Sequence, residues 1–226
     1  MKFIALILLA LTTNVHGENL HPSVYFITKS STDGENCSTM KNLLDKKNQT
    51  LAHVCKDFYK KCVLEGTCLI TQGNKNFILN YSETIQDIPR FSLNDASRCP
   101  FGIGVNEICL DPFYTVAADL NYHKAGDVIY VNKLKGLKLP NNDVHSGYVI
   151  VRDRGGGIKG RNRFDFFTGT YHYTDPKNTM SQVGFSSTLN SYKYQKVWGS
   201  KAEEIRKIRN YPLLPQAADF GSTPVK

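Results

Sequence analysis

The chain has 226 residues, with 28 Lys and Arg against 20 Asp and Glu, which gives a formal net charge of +8 at pH 7. This length suits one domain, or one domain with a small accessory lobe, and is enough to bury a core. The positive charge favours an anionic polymer or surface as partner. Because the charges are scattered and not clustered in runs, we do not expect nucleic acid to be that partner.

The first 17 residues predict a secretory signal peptide. Lys2 precedes an apolar run from Phe3 to Leu11, and small or polar residues follow as far as Gly17. The run is too short to span a bilayer and no later run is long enough, so we expect cleavage after Gly17 and no membrane anchor. The sequence therefore predicts an exported protein.

Six cysteines are consistent with export into an oxidising compartment. They are Cys37, Cys55, Cys62, Cys68, Cys99 and Cys109. Cys55 and Cys62 would lie about 10 Å apart along a helix, which is too far for a disulfide. Cys99 and Cys109 flank a loop with Pro and Gly and are our preferred pair, while the other pairings stay open. Zinc is disfavoured, because the sequence has no Cys-x-x-Cys unit and no His pair near the cysteines.

The segment after the signal predicts helices. Between Ser38 and Cys62, apolar residues recur at helical spacing among lysines and polar residues. This pattern predicts one or two amphipathic helices, so we assign residues 18–61 to an N-terminal helical segment that is linked by disulfides.

Beyond Cys62 the hydrophobic pattern changes to that of strands. Short runs rich in Val, Ile, Tyr and Phe alternate with Gly, Asn, Pro and Asp up to about residue 200. These runs predict a mainly β core. The stretch "SKAEEIRKIRN" predicts one short helix, so residues 201–226 are expected to form a C-terminal helix and tail.

The stretch "VIVRDRGGGIKGRNRFDFF", residues 149–167, carries the strongest chemical signal. It is not a phosphate loop, because Lys159 is followed by Gly160 and then by a strand-like run. Asp153 is consistent with an ordinary turn, since Asp bonds its own backbone and Gly accepts positive φ. Asp165 lies between Phe164 and Phe166, and a carboxyl in apolar surroundings tends to keep its proton. Asp165 is therefore a candidate general acid.

Residues 114–169 resemble the three-aspartate (3D) domain of bacterial exported proteins, which also forms the catalytic core of membrane-bound lytic transglycosylase A. The resemblance rests on Asp119, on "KAGDVIYV" at 124–131, on Asp153 with "GGGIKG" at 155–160, and on Asp165. It covers about a quarter of the chain. Asp165 follows Asp153 by 12 positions, where the family pattern has eleven, so this sequence carries one inserted residue.

The resemblance implies a six-stranded double-psi β-barrel, which we assign to residues 62–200, in a periplasmic or secreted bacterial protein. It also implies cleavage of the bond between N-acetylmuramic acid and N-acetylglucosamine in peptidoglycan, with a 1,6-anhydromuramoyl product. Asp165 would then be the single acid and base, with Asp153 beside it and Asp119 supporting the barrel. We expect a monomer that acts on glycan strands without a metal or cofactor.

Other residues have weaker assignments. Lys159 is a candidate contact for a substrate carboxylate. Glu65 is a candidate second acid or substrate contact, although a surface glutamate at a strand end is the better account of this position. Trp198 and nearby tyrosines could stack on sugars or pack as strand residues. The alternative function is a non-catalytic, expansin-like glycan-binding module on the same barrel.

Overall fold

A computed structural model describes residues 17–31 and 37–215. The predicted signal peptide lies outside the described residues except for Gly17, and so does the end of the tail. The described residues are mainly β, with twelve strands in two sheets and few helices. The elements in chain order are β1 (Glu18–Tyr25), β2 (Thr28–Ser31), β3 (Met40–Leu44), β4 (Thr50–Cys55), α1 (Lys56–Glu65), β5 (Thr67–Gln72), β6 (Lys75–Ile85), β7 (Ile88–Asn94), β8 (Thr115–Ala118), β9 (Val128–Val131), β10 (Tyr148–Asp153), β11 (Arg163–Phe167), α2 (Thr179–Gln182), β12 (Tyr192–Val197) and α3 (Gly199–Ile208).

One sheet is a closed barrel with the strand order β1-β11-β8-β10-β9-β12. β1 closes it, because it pairs in parallel with β11 and antiparallel with β12. Alternate residues of each strand face inward, as a two-residue period requires. The barrel core is apolar and includes Leu20, Val116, Val151, Phe164 and Phe166.

The second sheet lies in residues 28–94 and has the strand order β2-β5-β6-β7-β3-β4. Helix α1 packs on it through Phe58 and Cys62, which join Leu43, Val54 and Phe91 in a separate core. The sequence patterns did not predict this sheet. Two disulfides belong to it, Cys37–Cys55 and Cys62–Cys68. The third, Cys99–Cys109, is the preferred pair of the sequence analysis and is confirmed.

The predicted N-terminal helical segment is wrong for most of its length, because β3 and β4 form a hairpin where helices were expected. The turn between them explains the error. Asp45 Oδ1 accepts hydrogen bonds from the backbone N–H groups of Lys47 (2.8 Å) and Gln49 (2.7 Å), and Asn48 has φ of 63°. Such Asp and Asn chemistry stabilises a tight turn, and it interrupts the apparent helical period. Only α1 is helical.

The assignment of residues 62–200 to the barrel also needs correction at two places. The barrel includes β1, and residues 67–94 belong to the second sheet. The C-terminal helix is confirmed as α3, which packs through Ala202 and Ile205 on Val128 and Ile150 of the barrel wall. Among the described residues, no helix has both the length and the apolar character needed to cross a membrane.

Candidate active site on the outer face of the barrel

Asp153 and Asp165 lie in one row that runs across four barrel strands. Ala117 on β8 is the register partner of Asp153 on one side and of Asp165 on the other. Ser23 on β1 continues the row beyond Asp165. Directly opposed residues in a sheet project from the same face, and the small side chain of Ala117 leaves space between the two carboxyl groups. We call Asp153, Ala117, Asp165 and Ser23 the acid row.

The acid row is on the outer face of the barrel. Phe164 and Phe166, which flank Asp165, point the opposite way into the barrel core. The phenylalanines therefore do not surround the Asp165 carboxyl, as the sequence analysis supposed. Ala117 instead packs in a cluster with Tyr25 and Phe167, against which Leu69 of the second sheet is placed. The second sheet thus packs against part of this face, while Ser23, Asp153 and Asp165 remain partly exposed.

Asp165 is held by a chain of donors from β1 and β11. The Ser23 hydroxyl donates to Asp165 Oδ1 at 2.5 Å, and Arg163 Nη2 donates to Ser23 Oγ at 2.8 Å. Arg163 is itself fixed, because its Nη1 donates to the carbonyls of His21 and Phe164, both at 3.0 Å. Burial raises the pKa of Asp165, while the Ser23 hydrogen bond and the Arg163 charge oppose that rise.

Asp153 is the more enclosed carboxyl. The Tyr25 hydroxyl donates to its Oδ2 at 3.0 Å, and the Arg154 backbone N–H donates to its Oδ1 at 2.8 Å. Burial raises the pKa of Asp153 to about 6, with a further contribution from the charge of Asp165. The pKa of the Tyr25 phenol is raised well above its ordinary value by burial and by the neighbouring carboxylates, so Tyr25 is a neutral donor.

Glu65 brings a third carboxyl from the second sheet's side. It is the last residue of α1 and not part of a strand, and its Oε2 accepts from the Phe26 N–H at 3.3 Å. Gly66 ends the helix with φ of 73°. Burial raises the pKa of Glu65 to about 7, and the charge of Asp165 adds to this. The Asp165 charge therefore influences two further carboxyl groups.

Asp119 does not join the acid row. Its Oδ2 accepts from the Gly160 N–H at 2.8 Å, and its Oδ1 accepts from the backbone and side-chain amides of Asn121 at 3.0 and 2.9 Å. These donors, Gly160 first, lower the pKa of Asp119. Asp119 thus fastens residues 154–162, the loop that joins Asp153 to β11. Lys159 lies exposed on this loop. The pairing of β11 with β1 and β8 is regular, whereas the pairing of β10 with β8 shifts register between Val151 and Asp153.

A second loop approaches Asp153 closely at Gly104. A Cβ at Gly104 would lie 2.3 Å from the Arg152 carbonyl oxygen and 3.0 Å from Asp153 Cγ. Only glycine permits this approach. The Cys99–Cys109 disulfide and the bridge between Ile103 and Cys109 hold the loop in place.

An aromatic ledge lies next to Glu65. Phe26, whose N–H binds Glu65, packs edge to face on His172 with ring centroids 4.7 Å apart, and His172 packs on Tyr173 at 4.1 Å. His172 and Tyr173 are exposed. The buried Asn178 donates to the carbonyls of Tyr171 (3.0 Å) and His172 (3.2 Å) and so orders the loop. Flat exposed rings beside raised-pKa carboxyls suit a sugar polymer.

The sequence missed four contributors to this site, namely Ser23, Tyr25, Phe26 and Arg163. The first three are on β1 or just after it, and their place depends on the closure of the barrel, for which the sequence has no local signal. Within residues 17–31 and 37–215, no group of three or more His, Cys, Asp or Glu side chains is placed to hold a metal ion.

Comparison with known proteins bears on both the fold and the site. A model of the 3D domain family matches residues 114–178, which contain Asp119, Asp153 and Asp165. The chain resembles the crystal structure of E. coli MltA with bound chitohexaose, with a TM-score of 0.53 and 12% identity, over 80% of this chain and 73% of that one. It also resembles a membrane-bound lytic murein transglycosylase from Agrobacterium tumefaciens, with a TM-score of 0.51 and 12% identity, over 84% of this chain and 76% of that one. No curated protein matches the chain.

The chain is thus a β-barrel protein that shares its fold with these lytic transglycosylases. Residues 114–178 are a 3D domain. The resemblance predicted from Asp119, Asp153, Asp165 and the intervening Gly-rich loop is therefore confirmed.

Proposed function

We propose that this protein is a peptidoglycan lytic transglycosylase whose barrel has the double-psi topology. It would cleave the β-1,4 bond between N-acetylmuramic acid and N-acetylglucosamine, outside the cytoplasm, on glycan strands and as a monomer. The observation that carries the proposal is the environment of Asp165. This carboxyl has a raised pKa and a fixed donor on one side, and its charge acts on Glu65, which binds the Phe26 N–H of the exposed aromatic ledge.

One carboxyl is sufficient for this reaction. Asp165 donates its proton to the glycosidic oxygen as the bond to C1 of the muramic acid breaks. The C6 hydroxyl of the same sugar then attacks C1 and returns its proton to Asp165, which gives the 1,6-anhydro ring. No water enters, and the intramolecular nucleophile gives the step the advantage of proximity. A glycosidase that uses water would instead need a second carboxyl across the bond.

The neighbours of Asp165 fit the two halves of this cycle. Burial favours the protonated carboxyl that the first half requires. The Ser23 hydroxyl, held by Arg163, stabilises the carboxylate that remains after the proton is given away. Burial thus raises the pKa of Asp165 and the Ser23 hydrogen bond lowers it. A group that acts first as an acid and then as a base needs both effects.

Asp153 and Glu65 have supporting roles in this proposal. Asp153 keeps the row in place through Tyr25 and the Arg154 N–H. Glu65, with its pKa raised to about 7, is placed to contact the substrate from the side of the second sheet. Lys159 would meet a carboxylate of the stem peptide, and Asp119 supports the loop that carries Lys159.

The test is mass spectrometry of the soluble products after purified protein is incubated with isolated sacculi. We expect anhydromuropeptides from the wild type, and a loss of at least about 100-fold in Asp165→Asn, which is the usual effect of removing a general acid. Asp57→Asn is the matched control, because its side chain is 88% exposed and remote from the row. Products with reducing ends would contradict the transglycosylase mechanism. Absence of products, with the protein pelleting on the sacculi, would favour the glycan-binding module.

A further inference from the structure

A pocket of about 400 Å³ lies at the opposite end of β1 from the acid row. Glu18, at the start of β1, lines it, whereas Ser23 of the acid row is five residues further along. At about 3.3 Å per strand residue the two sites are about 16 Å apart. The pocket is lined by residues of the barrel strands and their loops, and the second sheet contributes none of its described residues.

The pocket exposes large aromatic surface. Trp198 is 69% exposed and Tyr122 is 53% exposed, and both line the pocket. Each ring is accompanied by a cation, since Lys196 Nζ lies 4.4 Å from the Trp198 ring centroid and Arg161 Cζ lies 5.9 Å from that of Tyr122. Exposed aromatic surface inside a polar pocket indicates a binding site more than it serves folding.

The charged groups of the pocket form ion pairs. Arg161 Nη1 lies 3.4 Å from Glu18 Oε1, and Lys196 Nζ lies 2.5 Å from Asp127 Oδ2. The Arg161–Glu18 pair is exposed, whereas the Lys196–Asp127 pair is largely enclosed.

The pocket wall also contains a polar atom without a hydrogen bond. His123 is 4% exposed, and its Nε2 contacts the Arg161 carbonyl at 2.8 Å. Its Nδ1 makes no hydrogen bond and lies 4.0 Å from Asp127 Oδ2. This nitrogen is buried and has the Asp127 carboxylate as its nearest charged neighbour.

These features select among ligands. A cationic ligand is disfavoured, because Lys196 and Arg161 already occupy positions over the aromatic rings. Sugar rings have apolar faces that cover aromatic rings. Among the described lining residues, Arg161 and Lys196 outnumber the one carboxylate, Glu18, which favours a ligand that also carries carboxylates.

We propose that this pocket is a second glycan-binding site, which holds a carboxylate-bearing glycan strand apart from the acid row. The choice of ligand class rests on the proposed function. A strand held here would stay bound while another part of it lies at Asp165, so the pocket would increase residence on a polymer without taking part in bond cleavage.

Trp198 gives a direct readout, because it is the only tryptophan of the chain. Soluble, uncrosslinked peptidoglycan strands are titrated into Asp165→Asn protein, which prevents cleavage during the titration, and tryptophan emission is recorded. We expect a saturable shift, with affinity reduced at least about tenfold in Tyr122→Ala and in Arg161→Gln. Tyr81→Ala, an exposed tyrosine on the second sheet, is the control and should bind normally. Circular dichroism verifies that each variant is folded.

The outcomes separate this site from the proposed activity. The second site is overturned if tryptophan emission does not change. It is also overturned if Tyr122→Ala and Arg161→Gln bind the strands as tightly as the Asp165→Asn protein, even when the wild type releases anhydromuropeptides. A saturable shift that is lost in both variants supports the site even when the wild type releases no product. Neutral chitohexaose is the comparison ligand. If it binds as tightly as the peptidoglycan strands, Arg161 and Lys196 do not select for carboxylates.

Discussion

At the scale of single residues, the acid row balances two opposed effects on one carboxyl. Burial against the second sheet favours protonated Asp165, while Ser23 and Arg163 favour its carboxylate. The order of the donors matters, because Arg163 reaches Asp165 through the Ser23 hydroxyl. Ser23 is therefore the residue through which the pKa of the acid is adjusted.

Replacing Ser23 by alanine tests this adjustment. Because the hydrogen bond lowers the pKa of Asp165, we expect its loss to raise that pKa, so the alkaline limb of the pH–activity profile moves to higher pH. The release of anhydromuropeptides from sacculi, measured as a function of pH, gives the limb. Ser186→Ala, an exposed serine, is the control. A limb that stays in place or moves to lower pH would show that Ser23 does not set the pKa of the acid.

Glu65 and Asp153 predict how stability depends on pH. Their pKa values in the folded protein are about 7 and about 6, above their ordinary values of 4.5 and 3.8. The folded state therefore holds protons that the unfolded state has lost, so stability rises as pH falls from about 7 towards 4.5. Glu65→Gln should remove its part of this dependence, roughly 3 kcal/mol at most.

Urea unfolding at about pH 5 and about pH 7.5 measures this dependence. Glu203→Gln, an exposed glutamate on α3, is the matched control and should keep the wild-type dependence. Equal pH dependence in Glu65→Gln and wild type would mean that Glu65 does not hold a proton in the folded state.

At the scale of elements, residues 154–162 connect the two aspartates and depend on a third. Asp119 supplies both of its carboxylate oxygens to backbone N–H groups, one of them in this loop. The loop also carries the glycines and Lys159 by which the 3D domain is recognised. The order of the loop therefore depends on a residue about forty positions earlier, to which the sequence analysis gave a supporting role.

Asp119→Ala is expected to loosen this loop. The Gly160 and Asn121 N–H groups lose their acceptors, so we expect a stability loss of about 1 to 3 kcal/mol and faster cleavage by trypsin after Lys159 and Arg161. Limited proteolysis with mass spectrometry identifies the cleaved bonds. Asp57→Ala is the control. An unchanged rate at both bonds would show that the loop is ordered by other contacts.

Local sequence patterns predicted some elements and not others, for physical reasons. The mainly β character, α3 and the Cys99–Cys109 pair follow from residues close in sequence, whereas the 3D domain was recognised from its motif residues. The β3–β4 hairpin was missed because the turn chemistry at Asp45 and Asn48 was not weighed against the apolar spacing. The position of β1 in the barrel could not be predicted from local sequence patterns, because Ser23 and its partner Asp165 are 142 residues apart.

At the scale of the whole molecule, a buried ionic cluster fastens the C-terminal segment to the barrel. The fully buried Asp111 accepts from Arg209 Nε and Nη2 at 2.9 and 2.7 Å and lies 3.8 Å from Arg152 Nη2. Arg152, also fully buried, donates to the carbonyls of Cys109 and Leu213 at 3.1 and 2.8 Å. Because Arg152 precedes Asp153, this cluster fixes the end of β10 that carries the acid row.

Asp111→Asn should be strongly destabilising. It leaves the buried Arg152 and the partly exposed Arg209 without their counter-charge, and breaking a buried pair in this way costs about 3 to 5 kcal/mol. Denaturant unfolding gives the free energy. Glu204→Gln is the control, because its pair with Lys201 is exposed and contributes less than about 1 kcal/mol. A loss as small as that of the control would mean that the cluster does not hold the C-terminal segment.

The position of β1 in the barrel gives the molecule an order of assembly. During synthesis β1 emerges early, yet its partners β11 and β12 are made more than a hundred residues later. The six strands of residues 28–94 can pair among themselves long before then. Contacts so distant in sequence form slowly, and until they form β1 has an unpaired edge. Ser23 meets Asp165 only when β1 is in place, so we expect the acid row to form late in folding.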